Sequence, residues 1–173
     1  MRSYSIALLA VTALAGSPAL SAQPAGASID PPPGSTVVLK ATGAGVQIYS
    51  CAESQGAFKW MLKAPDAKLL DESGKQIGSH FAGPTWRLTD GSQVQGELIA
   101  SHPTPDAGSV PWLLLRAKIG TGTGKFAGVA FIQRTETRGG SAPATGCRSP
   151  GDLDQSLRVP YSATYALFAA SQR

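Results

Sequence analysis

The sequence predicts an all-β fold, a single-domain antiparallel β-sandwich or barrel of about ten short strands. The first observation is a hydrophobic period of two: in AFKWMLKA, Phe58, Trp60 and Leu62 fall on one face and the residues between them on the other. The second is the regular spacing of turn residues between apolar runs, and the third is the absence of a convincing amphipathic helix. Together they favour a sheet that folds back on itself.

The predicted strands follow one another with short connections. AESQG joins GVQIYSC to AFKWMLKA in a link of hairpin length. The turn ESGK lies between AKLLD and QIGSHF, and DGS lies between TWRLT and QVQGELIA, where Asp90-Gly91 is the strongest hairpin signal because glycine accepts positive φ. VPWLLLRAKI is an apolar run typical of a central strand. GKFAGVAFIQRTET follows the turn GTGTG, and SLRVPYSATYALF ends the domain after a long loop.

The first 22 residues have the pattern of a secretory signal peptide. Arg2 precedes an apolar run, which ends in helix-breaking and small residues. Cleavage is expected after Ser21 or after Ala22. The apolar run is too short to cross a bilayer of ~30 Å, and no later segment is longer or more apolar. We therefore expect an exported protein, periplasmic or extracellular, with no transmembrane segment in its mature chain.

The remaining chain divides into a leader and one domain. Residues 23–35 are rich in proline, which suits neither a helix nor a sheet ladder, and are predicted to be a flexible leader. Residues 36–170 are predicted to form a single β domain, which is long enough to bury a core.

Cys51 and Cys147 are the only cysteines of the chain. In a protein exported to an oxidising space, two cysteines are expected to form a disulfide. Two separate thiols are the alternative.

The charge pattern argues against a nucleic-acid partner. The chain has 15 basic and 11 acidic side chains, a formal net charge of +4. Basic and acidic residues alternate along the chain instead of forming a basic cluster, so no nucleic-acid site is predicted. Weak attraction to an anionic envelope is the other interpretation of the mild positive charge.

No metal site and no cofactor are predicted. A zinc site takes three or four ligands, whereas the chain has two histidines, His80 and His102, and its cysteines are expected to be bonded to each other. GTGTGKF resembles a phosphate-binding loop only in part, because Ile119 and Phe126 stand where that motif needs glycine and a hydroxyl residue.

His80, Asp90 and Glu97 are the candidate catalytic residues, since a histidine and nearby carboxylates can perform general acid and base catalysis. Each also has a structural interpretation. Asp90 suits a tight turn, because its side chain bonds the local backbone. His80 is either solvent-facing or a hydrogen-bonded interior histidine, and Glu97 suits the polar face of a strand.

The tryptophans are divided between core and ligand binding. Trp60 and Trp112 lie in the most apolar runs and are predicted to be core residues. Trp86 follows Gly83-Pro84 and begins a strand, where its ring could stack on a sugar or another flat ligand. The alternative is that Trp86 closes the end of the barrel.

The order of motifs GAGVQIYSC, DESGKQIGSHFAGPTW, DGSQVQG, PWLLLRAKIGTGTGKFAGVAFIQRTETRGGSAPATGC and VPYSATYALF resembles a family of exported bacterial and fungal proteins, domain of unknown function 3455. The resemblance covers Pro33 to Phe168. It implies an exported single domain with no established activity and no catalytic residues to transfer. The elements that recur in the family fall here on Gln47, Tyr49, Cys51, His80, Gly83, Pro84, Trp86, Asp90, Gly91, Gly139, Gly140 and Cys147.

Two functions remain for this chain. The first is a non-catalytic envelope or secreted module. As a binding module it uses Trp86, His80 and the neighbouring loops to bind a small molecule or a glycan, and as a purely structural module it has no small ligand. The second is a small secreted hydrolase acting on a polymer such as a glycan, with His80 as base and Asp90 or Glu97 as its partner. The lack of a complete catalytic set favours the first. The sequence makes no prediction about the oligomeric state.

Overall fold

The computed structural model describes residues 28–171, which form a closed barrel of eight antiparallel strands connected in sequence order. The first strand pairs with the last, so the described sheet closes without an edge strand. The predicted all-β antiparallel fold is confirmed, as a barrel of eight strands instead of about ten. The strands are β1 Thr36–Ser54, β2 Ala57–Leu70, β3 Gln76–Phe81, β4 Thr85–Leu88, β5 Gln93–His102, β6 Trp112–Ala117, β7 Val129–Gly139 and β8 Ser156–Ala169.

Strand β2 contains two of the predicted strands, AFKWMLKA and AKLLD. Pro65 lies between them and lacks the amide donor that a sheet ladder uses, which makes the sequence look interrupted. The long strand β1 stays paired with β2 past this point, with Gln47 opposite Pro65, after a register shift between Ile48 and Tyr49. Pairing with β1 therefore keeps the chain extended where the local sequence signals a break.

The two ends of the barrel differ in their interior. The lower end holds the start of β1 and the end of β8, and the upper end holds the β1–β2 turn and the long connections before β6 and β8. Strand alternation directs every second side chain inward, and these fill the interior of an eight-stranded barrel. The lower interior is apolar. Its main residues are Leu69, Leu88, Val94, Leu115, Phe126, Val129, Ile132 and Leu167.

The β4–β5 hairpin at the lower end turns at Asp90-Gly91, as predicted. Gly91 has φ +86°, a conformation that favours glycine. The Asp90 carboxylate accepts a hydrogen bond from the Ser92 amide at 2.9 Å and pairs with Lys125 at 3.1 Å. The hydrogen bonds from Ser92 and Lys125 lower the pKa of Asp90 to about 2.

The predicted disulfide is confirmed and lies at the upper end. Cys51 of β1 and Cys147 are bonded, with Cα atoms 5.4 Å apart. Two further contacts hold the same connection: Tyr49 Oη donates to the Gly140 carbonyl at 2.7 Å, and Trp60 Nε1 donates to the Thr145 carbonyl at 2.8 Å. The segment between β7 and β8 is thereby fastened over the upper end.

Part of the predicted leader contacts the barrel. Ile29 is buried, and its carbonyl accepts a hydrogen bond from Gln133 Nε2 of β7 at 2.9 Å. Ile29 thus packs against the barrel as an apolar side chain among small and polar neighbours, whereas the leader at residues 23–35 as a whole stays a prediction. The predicted signal peptide and the first leader residues lie outside the described residues. No helix in residues 28–171 is long and apolar enough to span a membrane.

Candidate functional site

His80 and Trp86 lie inside the barrel, stacked on each other. They are cross-strand partners on β3 and β4, with ring centroids 4.3 Å apart and planes 14° from parallel. Trp86 is 1% exposed, so it offers no surface for stacking a ligand, contrary to one of its two interpretations. The prediction was also wrong for Trp60 and Trp112, which are only partly buried. In the short strand β4, alternation puts Trp86 and Leu88 on the interior face.

The histidine is a hydrogen-bonded interior residue. Its Nδ1 lies 2.9 Å from the Thr85 carbonyl, which can only accept, so Nδ1 carries the proton and Nε2 keeps its lone pair. Burial, with a smaller effect of the positive charge of Arg134, lowers the pKa of His80 to about 4, although the hydrogen bond to Thr85 acts in the opposite direction. His80 is therefore neutral at neutral pH.

The structure does not bring the three predicted acid and base residues together. Asp90 is in the turn at the lower end, where its carboxylate bonds the local backbone. Glu97 is exposed on the outer face of β5, opposite Arg116 of β6, whereas His80 faces the interior. Within residues 28–171, no three His, Cys, Asp or Glu side chains are grouped so that they could hold a metal ion.

Buried polar side chains surround this histidine in the upper interior. Tyr161 Oη and Tyr165 Oη are 3.2 Å apart, and the Tyr165 ring lies 5.0 Å from the His80 ring. Burial raises the pKa of both tyrosines, so they stay protonated. We call this group the interior polar cluster; it consists of Gln47, His80, Trp86, Arg134, Tyr161 and Tyr165.

Side chains of β7 also form hydrogen bonds with the loop at residues 103–111, which we call the rim loop. Arg134 donates from Nε and Nη2 to the Pro111 carbonyl at 3.1 and 2.7 Å. Thr137 Oγ1 donates to the Val110 carbonyl at 2.6 Å. Ser109 Oγ accepts from the Gly139 amide and donates to Asp106 Oδ2, both at 2.7 Å. The rim loop is therefore fixed to β7 by the side chains of Arg134 and Thr137 and by its own Ser109.

A groove of about 530 Å³ opens between the rim loop and the outer faces of β7 and β8. We call it the outer groove. Trp112 and Pro105 supply its apolar surface, and Asp106, Glu136 and Arg138 supply its charges. Its hydroxyl groups come from Thr42, Thr104, Ser162 and Thr164.

Glu136 lies at an irregularity in β7 that shapes the outer groove. The pairing of β7 with β8 shifts register between Thr135 and Arg138, and Glu136 has φ +50°, which costs a non-glycine residue about 1–2 kcal/mol. Its carboxylate accepts a hydrogen bond from Thr164 Oγ1 at 2.6 Å. Bulges of this kind redirect side chains and are frequent near binding sites.

A second groove of about 220 Å³ adjoins the first. Both are lined by Thr42, Glu136 and Thr164, so the two form one path across the outer face of β7, β8 and β1. The second groove adds Lys40, Asp71 and Glu72. Carboxylates therefore outnumber cationic groups along the whole path.

Sequence reasoning missed this path. Period-two alternation cannot show that β7 shifts its register at Glu136, and the apolar run that contains Trp112 predicted a core residue there. Two signals are present in the sequence. The first is RTETR, a run of charged and hydroxyl residues that interrupts the apolar alternation of β7. The second is TPDAGS, a polar loop that is separated by two residues from the apolar strand beginning with Trp112.

Residues 31–169 match the family model described as protein of unknown function (DUF3455). The chain belongs to this family. The resemblance seen in the sequence motifs is thereby confirmed, and three of the positions that it singled out, Gln47, His80 and Trp86, belong to the interior polar cluster. No curated protein and no solved structure was found to match the chain.

Proposed function

We propose that this protein is a non-catalytic, exported binding module whose outer groove takes a short glycan chain. The observation that carries the proposal is the outer groove itself, which combines Trp112 with a ring of hydroxyl and charged groups at a volume of about 530 Å³. Binding pockets in proteins have volumes of about 300–1,000 Å³ and combine apolar walls with a few polar groups.

The chemistry of the groove fits a polyhydroxylated ligand. A sugar ring has an apolar face, for which Trp112 and Pro105 offer surface, and hydroxyl groups around its edge. Carboxylates accept hydrogen bonds from such hydroxyls, and the guanidinium of Arg138 donates to them. The adjoining second groove extends the path in one direction, which suits a chain of sugars better than a single one.

The charge of the path narrows the ligand class. Asp106, Glu136, Asp71 and Glu72 outnumber Arg138 and Lys40. A polyanionic glycan would meet repulsion here, although the whole chain carries a formal charge of +4. We therefore propose a neutral glycan or one that carries amino groups.

The geometry of the predicted catalytic residues supports a binding role over hydrolysis. His80 is buried and neutral, and Asp90 and Glu97 lie elsewhere on the barrel. No histidine is among the residues that line the outer groove. The three residues that the hydrolase hypothesis combines therefore do not lie in one common site.

Export is part of the proposal. The disulfide between Cys51 and Cys147 is consistent with an exported protein, because such bonds persist in oxidising compartments. The pattern of the first 22 residues supports a secretory signal peptide. The compartment that we propose is the periplasm or the medium.

Calorimetric titration of the mature protein with three hexasaccharides tests the proposal. The probes are cellohexaose, which is neutral, a chitosan hexamer, which is cationic, and a polygalacturonate hexamer, which is anionic. We expect cellohexaose, the chitosan hexamer or both to bind, and we expect no binding of the polygalacturonate hexamer. Trp112→Ala should weaken that binding at least tenfold, and Glu136→Gln should weaken it less for the neutral probe than for the cationic one.

Glu53→Gln is the matched control, because Glu53 is exposed at the upper end of β1 and lies outside the groove lining. It should bind like the unaltered protein. Preference for the anionic probe, or binding that Trp112→Ala leaves unchanged, would contradict the proposed site. Shortening of a probe during the titration, detected by mass spectrometry, would contradict the non-catalytic role.

A further inference from the structure

The upper interior of the barrel contains a buried cation, Arg134, that has no counter-ion among residues 28–171. Arg134 is 9% exposed, and within residues 28–171 its guanidinium takes part in neither of the two ion pairs. Two of its nitrogens share the single carbonyl oxygen of Pro111. Arginine keeps its charge in proteins, and a buried charge without an opposite charge beside it is costly.

Two buried donors of the same cluster have no acceptor among the described residues. They are Gln47 Nε2 and Trp86 Nε1, and each of these side chains is only 1% exposed. A third such donor, Trp112 Nε1, lies on the outer face and is not part of the cluster. Buried donors in native proteins nearly always have a partner, so two in one cluster call for an explanation.

Strand register and ring contacts place these three groups near one another. Arg134 is the cross-strand partner of Tyr165, whose ring meets the edge of Trp86 at a centroid distance of 5.5 Å. The Tyr165 hydroxyl is 3.2 Å from that of Tyr161. A side chain at Gly140 would contact both Tyr161 and Gln47, which places these two next to each other. The donors therefore belong to one continuous region of the interior.

We propose that this region binds one small monovalent anion, a halide or a carboxylate of a few atoms. Such an ion only accepts hydrogen bonds, which is the kind of partner that the guanidinium and the donors of Gln47 and Trp86 require. It must be small, because aromatic rings fill much of the interior. It must carry one charge, because His80 is neutral and Arg134 is the one permanent cation of the cluster. This site is separate from the outer groove and does not depend on the proposed function.

Thermal unfolding of the mature protein in bromide and in formate tests this site. Ionic strength is held constant with sodium gluconate, whose anion is too large for the interior. A saturating anion should raise the Tm by about 5–10 °C, as expected for a ligand that binds only the folded state. Gln47→Leu and Arg134→Met should abolish the rise. Arg116→Met, an exposed arginine on the outer face of β6, should keep it.

Crystals grown in bromide should show an anomalous peak within hydrogen-bond distance of Arg134. Comparison of bromide with formate distinguishes a halide site from a carboxylate site. If Arg134→Met does not fold, Gln47→Leu decides, because leucine has nearly the volume of glutamine. An equal Tm change in all variants would be a surface salt effect and would overturn the proposal. The absence of a Tm change in the unaltered protein would also overturn the proposal. A crystal structure in bromide that shows only a water molecule beside the Arg134 guanidinium would do the same.

Discussion

At the scale of single residues, the interior of the barrel decides what each polar side chain can do. The sequence predicts His80 and Trp86 as candidate ligand-binding residues, yet alternation alone does not distinguish an interior face from an outer one. In the structure His80 bonds the Thr85 carbonyl and stacks on Trp86. Both side chains are buried, so they belong to the interior of the barrel and not to its surface.

The burial of His80 predicts a pH dependence of stability. Its pKa is about 4 in the folded protein and 6.5 as a free side chain, so the unfolded chain binds more protons between these values. The free energy of unfolding should therefore fall as pH decreases from 6.5 to 4, by at most about 3 kcal/mol. Urea unfolding at pH 7 and at pH 4.5 measures the difference.

His80→Gln is the matching variant, because glutamine does not titrate. It should lose most of the stability change between these two pH values. The pKa values of three aspartates, Asp71, Asp90 and Asp152, are also lowered. Their contribution to stability is lost mainly below about pH 4, as they are protonated, so the stability change between pH 7 and pH 4.5 reports mainly on His80. An equal pH dependence in the two proteins would show that His80 is accessible.

At the scale of elements, hairpins with strong turn residues were predictable and the merged strand was not. Asp90-Gly91 identified the β4–β5 turn because the conformation of that turn needs a residue that accepts positive φ. Pro65 suggested a break in β2, which the pairing with β1 overrides. The run RTETR interrupts the apolar alternation of β7, but it does not predict the register shift at Glu136, because a bulge depends on the pairing of two strands that are distant in sequence.

Gly91→Ala should destabilise the hairpin by about 1 kcal/mol. A methyl group at this position would meet no atom within 4 Å, so the cost comes from the backbone at φ +86° and not from a clash. Gly128→Ala is the control, since its methyl group also meets open space and its φ is not in the left-handed region. It should be neutral or slightly stabilising. Denaturant midpoints of the two variants give the comparison, and equal losses would argue against backbone strain at Gly91.

Thr137→Val should loosen the rim loop. The change removes the 2.6 Å hydrogen bond to the Val110 carbonyl and leaves a buried acceptor without its partner, at a cost of about 1–3 kcal/mol. Hydrogen exchange of the amides in residues 103–111 should become faster than in the unaltered protein. Thr135→Val, two positions earlier on the same strand, should leave these amides unchanged. Equal protection in both variants would mean that Arg134 and Ser109 hold the loop without Thr137.

At the scale of the whole molecule, the all-β class and the disulfide followed from sequence pattern, whereas closure into a barrel did not. Period two and regular turns fit a sandwich as well as a barrel, and only the pairing of β1 with β8 distinguishes them. The outer groove depends on that closure, since it lies where β7, β8 and β1 meet. Its residues come from the start of β1, the rim loop and β7, which the sequence separates widely.

Removing the disulfide should lower the stability of the barrel without changing its fold. The two cysteines are 96 positions apart, and the chain-entropy model gives up to about 4–5 kcal/mol for a loop of that length. In the Cys51→Ala, Cys147→Ala double variant, the far-UV circular dichroism spectrum should be retained and the Tm should fall. Loss of the β spectrum at low temperature would mean that closure of β1 against β8 needs the covalent link.

The most direct test of the central claim, binding at the outer groove, is an NMR titration of the isotope-labelled mature protein with the hexasaccharide that binds in calorimetry. The three tryptophans give three indole signals, of which Trp86 is inside the barrel, Trp60 is bonded to Thr145, and Trp112 lines the groove. We expect the signals of the Trp112 indole and of the Glu136 and Arg138 amides to shift together, while the indole signals of Trp60 and Trp86 stay in place. Shifts confined to other surfaces, with the Trp112 signal unmoved, would contradict binding at the outer groove.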